Sequence, residues 1–159
     1  MGNGVGAHAR RQLARREFMA GTAVAVAAIV IAPSVLLAAP GDVAAEIKKL
    51  YGDKKMAEGK IKLDLPSIAE NGLVVPLNFE VESPMTAASY VKTVRFFAEG
   101  NPNPQIADFH FTPLAPKAAA QIRIRLAQTQ NIIAVAEMSD GSLYTAKKEV
   151  KVTIGGCGG

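Results

Sequence analysis

The sequence is short of the residues on which many binding and catalytic sites depend. Among its 159 residues there are one cysteine, two histidines and no tryptophan. A single cysteine excludes a disulfide framework within the chain and any multi-cysteine zinc or iron–sulfur site. A histidine-rich metal centre is disfavoured too, because one of the histidines is His8, near the N-terminus. Aromatic residues make up only 6% of the chain and the net charge is +4, which is weak support for a nucleic-acid binder.

The first 45 residues differ in composition from the rest and predict an export signal. Two arginine pairs, at 10–11 and 15–16, precede a run without charge from Ala20 to Ala39 that is rich in alanine and valine. A basic head, an apolar middle and a small-residue exit are the layout of such a signal. The segment RREFM at 15–19 resembles the twin-arginine export signal. We therefore expect removal of this segment and a mature protein in the periplasm, no longer bound to the membrane.

The fate of this segment leaves alternatives open. A cut after Ala38 or after Ala45 satisfies the requirement for small residues, and the alternative to cleavage is a membrane anchor, since the uncharged run is long enough to span a bilayer. Removal of residues 1–45 leaves 14 basic and 12 acidic residues, a net charge of +2. The mature chain is therefore not expected to bind nucleic acids.

Residues 46–154 are expected to form one all-β domain, an immunoglobulin-like β-sandwich of about seven strands with a short N-terminal helix. Apolar residues recur at helical spacing from Val43 to Leu50, and Gly52 follows as a stop signal, so the pattern predicts a helix over 43–51. Beyond it, apolar and polar residues alternate in short runs separated by turn residues, which is typical of strands with one buried face. The predicted strands are 60–65, 73–82, 91–98, 106–112, 119–127, 131–138 and 144–154. Such strands bury their apolar faces between two sheets.

Three local signals add detail to the predicted sandwich. Pro76 lies within an apolar run, which places the start of that strand at an edge or a bulge. The pair Asp140-Gly141 between two strongly apolar strands predicts a hairpin. The nearly continuous apolar run over 131–138 predicts a strand in the centre of its sheet.

The C-terminal tail, residues 155–159, carries the only cysteine of the chain, Cys157. The four residues around it are glycines: Gly155, Gly156, Gly158 and Gly159. Fixing a glycine-rich segment costs roughly 1–2 kcal/mol of backbone entropy per residue, with no side chain to offset the cost. We therefore expect a flexible arm that carries the thiol on the order of 10 Å from its anchor. Thiolates attack sulfur readily, so the arm is suited to holding a sulfur substrate covalently.

Other roles of Cys157 are weighed against the carrier role. An exported interaction module whose cysteine only forms an intermolecular disulfide stays open as the alternative. A copper site needs two histidines beside the cysteine, and the mature chain offers only His110, in a predicted strand where it is expected to face outward. A catalytic nucleophile is disfavoured because the tail supplies no base and no fixed geometry. We therefore expect neither a catalytic residue nor a metal ligand.

Four segments carry a resemblance to a known family. They are GNPNP at 100–104, TQNIIAVA at 129–136, SDG at 139–141 and the terminal IGGCGG at 154–159. Headed by a twin-arginine signal, they resemble SoxY, the sulfur-carrier subunit of the bacterial thiosulfate-oxidising Sox system. The resemblance covers about residues 46–159.

The resemblance implies a carrier without a cofactor of its own, which separate enzymes act on. Cys157 is the implied attachment point, and the tail glycines supply reach and clearance. The implied partners are a smaller β-sandwich subunit, SoxZ, which forms a heterodimer with the carrier, and three enzymes. These are the haem-containing SoxXA, which loads thiosulfate, the manganese-dependent hydrolase SoxB, and a sulfane dehydrogenase containing molybdenum and haem.

Overall fold

The computed structural model describes Met1 and residues 42–156. The export signal predicted over residues 1–45 lies almost wholly outside the described residues, as do Cys157, Gly158 and Gly159. Within the described part of the chain, no helix has the length and apolar character needed to cross a membrane.

Helix α1 spans Val43–Tyr51, where the sequence predicts it. The side chain of Asp42 accepts a hydrogen bond from the Ala45 N–H at 3.0 Å, which caps the first turn. Gly52 ends the helix with φ +67° and donates its N–H to the Lys48 carbonyl oxygen at 2.8 Å. That backbone conformation suits glycine, which has no Cβ to clash.

Nine strands follow the helix within the described residues, against about seven predicted. They are β1 Met56–Glu58, β2 Ile61–Asp64, β3 Ile68–Asn71, β4 Val75–Val81, β5 Val91–Ala98, β6 Gln105–His110, β7 Ala118–Ile124, β8 Gln130–Met138 and β9 Leu143–Ile154. The two strands that the pattern does not predict, β1 and β3, have three and four residues. Apolar and polar residues do not alternate in either of them, since their sequences are MAE and IAEN.

The strands form two sheets. The larger has the order β1-β9-β8-β5-β6, with β3 also paired to β9, and the smaller has the order β2-β4-β7. Strand β8 pairs with β9 on one side and β5 on the other, which confirms the prediction of a central strand over 131–138. Strands β1 and β3 run parallel to β9 and pair with its two ends.

The core between the sheets is built on an aromatic cluster. The ring of Phe79 on β4 lies 4.9 Å from the rings of Phe96 on β5 and Phe109 on β6, measured between centroids. These tilted contacts join the two sheets, and aromatic pairs of this kind stabilise a core beyond the area they bury. The structure therefore confirms the predicted all-β class and sandwich architecture.

The outer face of the larger sheet is covered by α1. Val43 and Tyr51 of the helix pack with Phe97, Val135 and Leu143, apart from the main core. The Tyr51 hydroxyl accepts a hydrogen bond from Nη1 of Arg95 at 2.9 Å, and burial raises the pKa of this tyrosine.

The two local turn and edge signals also match the structure. Pro76 pairs with Arg123 of β7, whereas the ladder between β2 and β4 covers only residues 78–81 of β4. The start of β4 therefore has a strand neighbour on one side alone, where a missing N–H is tolerated. The β8–β9 hairpin turns through Asp140 and Gly141, and Gly141 has φ +82°.

Candidate functional site

The end of β9 meets two other segments of backbone directly before Cys157. The Gly156 N–H donates to the Leu126 carbonyl oxygen at 2.9 Å, and the Gly72 N–H donates to the Ile154 carbonyl oxygen at 2.7 Å. The Leu126 N–H donates in turn to the Gly72 carbonyl oxygen at 2.7 Å. We call these four residues the backbone junction: Gly72, Leu126, Ile154 and Gly156. It holds the C-terminal segment against the β3–β4 turn and the β7–β8 loop.

The junction requires glycine because main chain approaches main chain closely. A Cβ added to Gly72 would overlap the Leu126 carbonyl oxygen and lie 2.8 Å from the Gly156 nitrogen. A Cβ on Gly155 would overlap the Ala127 carbonyl oxygen, and one on Gly156 would lie 3.0 Å from the Gly72 carbonyl oxygen. These neighbours are backbone atoms, which cannot rotate aside as a side chain can. The close approach of backbone segments therefore requires glycine at all three positions.

The tail differs in this respect from the arm that the sequence predicts over 155–159. Gly156 is buried and hydrogen-bonded, and Gly155 lies against Ala127, so the first two residues of the tail are held. These two glycines are required by close packing. Cys157, Gly158 and Gly159 lie outside the described residues.

The loop that receives the tail is held in place by a buried amide. Asn101 is fully buried, and its Nδ2 donates to the Arg125 carbonyl oxygen at 2.9 Å. Its Oδ1 accepts from the Ala127 N–H at 3.0 Å and from Nε2 of Gln130 at 2.8 Å. The Gln130 Oε1 accepts from the Gly100 N–H at 2.6 Å. The side chains of Asn101 and Gln130 therefore fix residues 125–129, which we call the junction loop.

A second contact ties the junction loop to β9. The Val152 N–H donates to Oγ1 of Thr129 at 2.9 Å. The GNPNP and TQNIIAVA segments, which carry the family resemblance, thus contribute Asn101, Thr129 and Gln130 to the support of the tail.

Sequence reasoning missed Gly72, Asn101 and Gln130 as parts of this site. In the sequence, Asn71-Gly72 indicates only a turn between two strands, because such a signal does not report which segments meet in space. Asn101 and Gln130 are 29 positions apart. Their place inside the segments that resemble the family was the only available signal.

Basic side chains lie near the junction loop. Arg123 and Arg125 are exposed on β7 and directly beyond it, and among the described residues neither takes part in an ion pair. With Asn103 and Gln105 they line a cleft of about 360 Å³. Glu99 directly follows β5, and hydrogen bonds from Lys147 and Asn131 hold its pKa below its ordinary value.

Metal-binding side chains do not converge in the described part of the chain. No group of three or more histidine, cysteine, aspartate or glutamate residues is placed to hold an ion there. His110 is exposed, as predicted from its place in the strand pattern, and its Nε2 lies 3.5 Å from Oδ2 of Asp108.

Substitution of Gly72 tests the close packing of the junction. Gly72→Ala is expected to push Gly156 away from Leu126, because the new methyl group meets backbone on both sides. Amide hydrogen exchange at Gly156, followed by NMR, should accelerate by about tenfold or more, since its hydrogen bond opens locally. Glu70→Ala, an exposed position on β3, is the control and should leave this exchange unchanged. If the Gly156 amide of Gly72→Ala exchanged as slowly as in the parent protein, the requirement for glycine at position 72 would be contradicted.

Comparisons with known proteins agree on one family. The sequence profile of the family described as sulfur oxidation protein SoxY matches residues 47–157. The solved structure of the sulfur carrier protein SoxY from Chlorobium limicola f thiosulfatophilum is 32% identical, covers 70% of this chain and 96% of its own, and superposes with a TM-score of 0.59. No curated protein matches the chain.

More distant structures share only the fold. A superoxide reductase (neelaredoxin) from Ignicoccus hospitalis is 22% identical, with a TM-score of 0.52, over 59% of this chain and 80% of its own. A hypothetical protein from Pyrococcus horikoshii OT3 is 11% identical, with a TM-score of 0.51, over 60% of this chain and 96% of its own. At these identities the likeness concerns the β-sandwich alone.

Proposed function

Because the chain belongs to the SoxY family of sulfur oxidation proteins, we propose that it carries sulfur intermediates covalently in periplasmic thiosulfate oxidation. Cys157 is the attachment point, and separate enzymes act on the sulfur that it holds. The observation that carries the proposal is that the family match covers the sandwich and ends on Cys157 itself. The similar Chlorobium protein is described as a sulfur carrier.

The chemistry needs nothing from this chain but a thiolate. The Cys157 sulfur and the outer sulfur of thiosulfate form a disulfide bond and together give up two electrons, which pass to the haem-containing SoxXA enzyme. The product is a cysteine S-thiosulfonate. Water then attacks the sulfonate sulfur in the SoxB hydrolase, which releases sulfate and leaves a persulfide on Cys157. The sulfane dehydrogenase oxidises the remaining sulfur.

The backbone junction supports this role by defining where the thiol starts from. The Gly156 N–H is hydrogen-bonded to Leu126, and Cys157 directly follows Gly156 in the sequence. Covalent geometry limits the sulfur to about 7 Å from the Gly156 Cα. Gly158 and Gly159 add no side chains that could obstruct a narrow active site. The backbone junction therefore gives the proposed carrier arm a fixed base.

The location and partners of the carrier complete the proposal. The twin-arginine signal over residues 1–45 directs the folded protein to the periplasm, in company with a SoxZ-like β-sandwich subunit. The heterodimer is the form that visits SoxXA, SoxB and the sulfane dehydrogenase. This protein is the carrier subunit and not the catalyst.

Mass spectrometry of the native protein tests the proposal. After incubation with thiosulfate and the loading enzyme, we expect Cys157 to carry a thiosulfate adduct, and SoxB should convert it to a persulfide. Reduction should return the unmodified thiol, which serves as the control for a disulfide-linked cargo. Unmodified Cys157 after loading, or a quantitative intermolecular disulfide that remains fully functional, would contradict the carrier role and favour the interaction module.

A further inference from the structure

Three large apolar side chains remain exposed around the backbone junction. Leu73 and Val74, which directly follow Gly72, are 44% and 55% exposed, and Ile154 at the end of β9 is 67% exposed. The Leu73 nitrogen would lie 3.2 Å from a Cβ on Gly156, so this turn lies against the base of the tail. We call these three residues the apolar collar: Leu73, Val74 and Ile154.

The collar is not explained by the packing of the sandwich. Val75 and Leu126, its immediate neighbours, are fully buried in the core, whereas the collar side chains are exposed. Burial of apolar side chains stabilises a fold, so leaving three of them exposed at one place forgoes part of that stabilisation. Single exposed apolar residues are ordinary on protein surfaces, but several around one point indicate a binding surface.

The position of Cys157 identifies what covers the collar. Cys157 directly follows Gly156 in the sequence. While the junction is closed, the sulfur stays within about 7 Å of the Gly156 Cα. An enzyme that takes this sulfur into its active site must therefore bring the entrance of that site to the collar.

We propose that the apolar collar is the docking surface for the enzymes that act on Cys157, whose active-site entrances present an apolar rim to it. The inference rests on the proposed function. Contact between collar and rim excludes water from the entrance while the thiol is inside. It also supplies an affinity that does not depend on which sulfur species the thiol carries.

Charge substitutions in the collar test the docking surface. Leu73→Asp and Val74→Asp should each raise the KM of SoxB for the thiosulfate-loaded carrier by about tenfold or more, with kcat unchanged, because they weaken docking and not chemistry. The assay uses the full mature chain with its SoxZ-like partner and measures sulfate release. Thermal unfolding should stay close to that of the parent protein, since both side chains are exposed.

Leu114→Asp is the matched control. Leu114 is 94% exposed and lies in the connection that precedes β7. The junction loop lies at the other end of β7, after its last residue. The length of β7 separates the two places by roughly 20 Å. This variant should leave KM unchanged.

The outcomes separate the docking surface from the carrier role. An unchanged KM in both collar variants, with normal loading of Cys157 seen by mass spectrometry, would overturn the docking surface and leave the carrier role intact. Loss of co-purification with the SoxZ-like subunit would also overturn it, because the collar would then belong to the heterodimer interface. Failure of Cys157 to accept thiosulfate in the parent protein would instead count against the proposed function.

Discussion

Replacing Cys157 with serine is expected to reduce thiosulfate-dependent turnover to the level measured without the carrier. A serine hydroxyl cannot form a disulfide bond with thiosulfate, so no cargo is loaded. The buried hydrophobic residues of the described core all lie between Val43 and Val150, so the free energy of unfolding should change by less than about 0.5 kcal/mol. Turnover with the purified enzymes and urea denaturation measure the two quantities.

Alkylation provides a control for this substitution. Because the chain has one cysteine, iodoacetamide should inactivate the parent protein as completely as Cys157→Ser does. Before alkylation, the reduced protein, which has a free Cys157 thiol and no intermolecular disulfide, should be fully active. This result separates a carrier from a module that works through a disulfide-linked dimer. Residual turnover in Cys157→Ser above the carrier-free level would refute covalent attachment at this residue.

Replacing Asn101 with alanine is expected to lower the free energy of unfolding by about 2–4 kcal/mol. The change removes three hydrogen bonds and leaves the Arg125 carbonyl oxygen, the Ala127 N–H and the Gln130 amide without this partner. Unsatisfied buried polar groups each cost about 1–3 kcal/mol, partly relieved where water enters. Urea denaturation at neutral pH measures the effect.

The same segment supplies a matched control for Asn101. Asn103 lies two residues further on in GNPNP and is exposed, so Asn103→Ala should change stability by less than about 0.5 kcal/mol. Asn101→Ala should also speed hydrogen exchange at the Gly156 amide, because the junction loop that accepts its hydrogen bond is loosened. Equal stability of the two variants would show that the buried amide is not the support of the loop.

The helix and most of the strands were predictable because the sequence patterns that indicate them are local. Val43–Tyr51 has its cap and stop residues at its own ends, and β5 and β8 repeat an apolar pattern over eight or nine residues. Such patterns report which face of an element is buried. They apply to the elements that form most of the sandwich.

The arrangement around the tail was not predictable in the same way. Strands β1 and β3 are short and pair with β9 in parallel, so no turn joins them to their partner and no pattern shows the pairing. The hydrogen bonds of Asn101 join positions at least 24 residues apart. The sequence of the tail alone singles out Cys157 as a candidate, whereas the packing of Gly155 and Gly156 depends on contacts between distant segments.

The position of β9 has a mechanical consequence for the proposed carrier role, in which enzymes take up the tail. Strand β9 runs from Leu143 to Ile154 and is laterally bonded to β8 along most of its length and to β3 at its end. Hydrogen bonds in an antiparallel ladder lie perpendicular to the strands. A pull on the tail along the strand axis therefore loads these bonds together, in shear, instead of opening them one after another. The sandwich is therefore built to resist the axial force on the tail that the proposed carrier role implies.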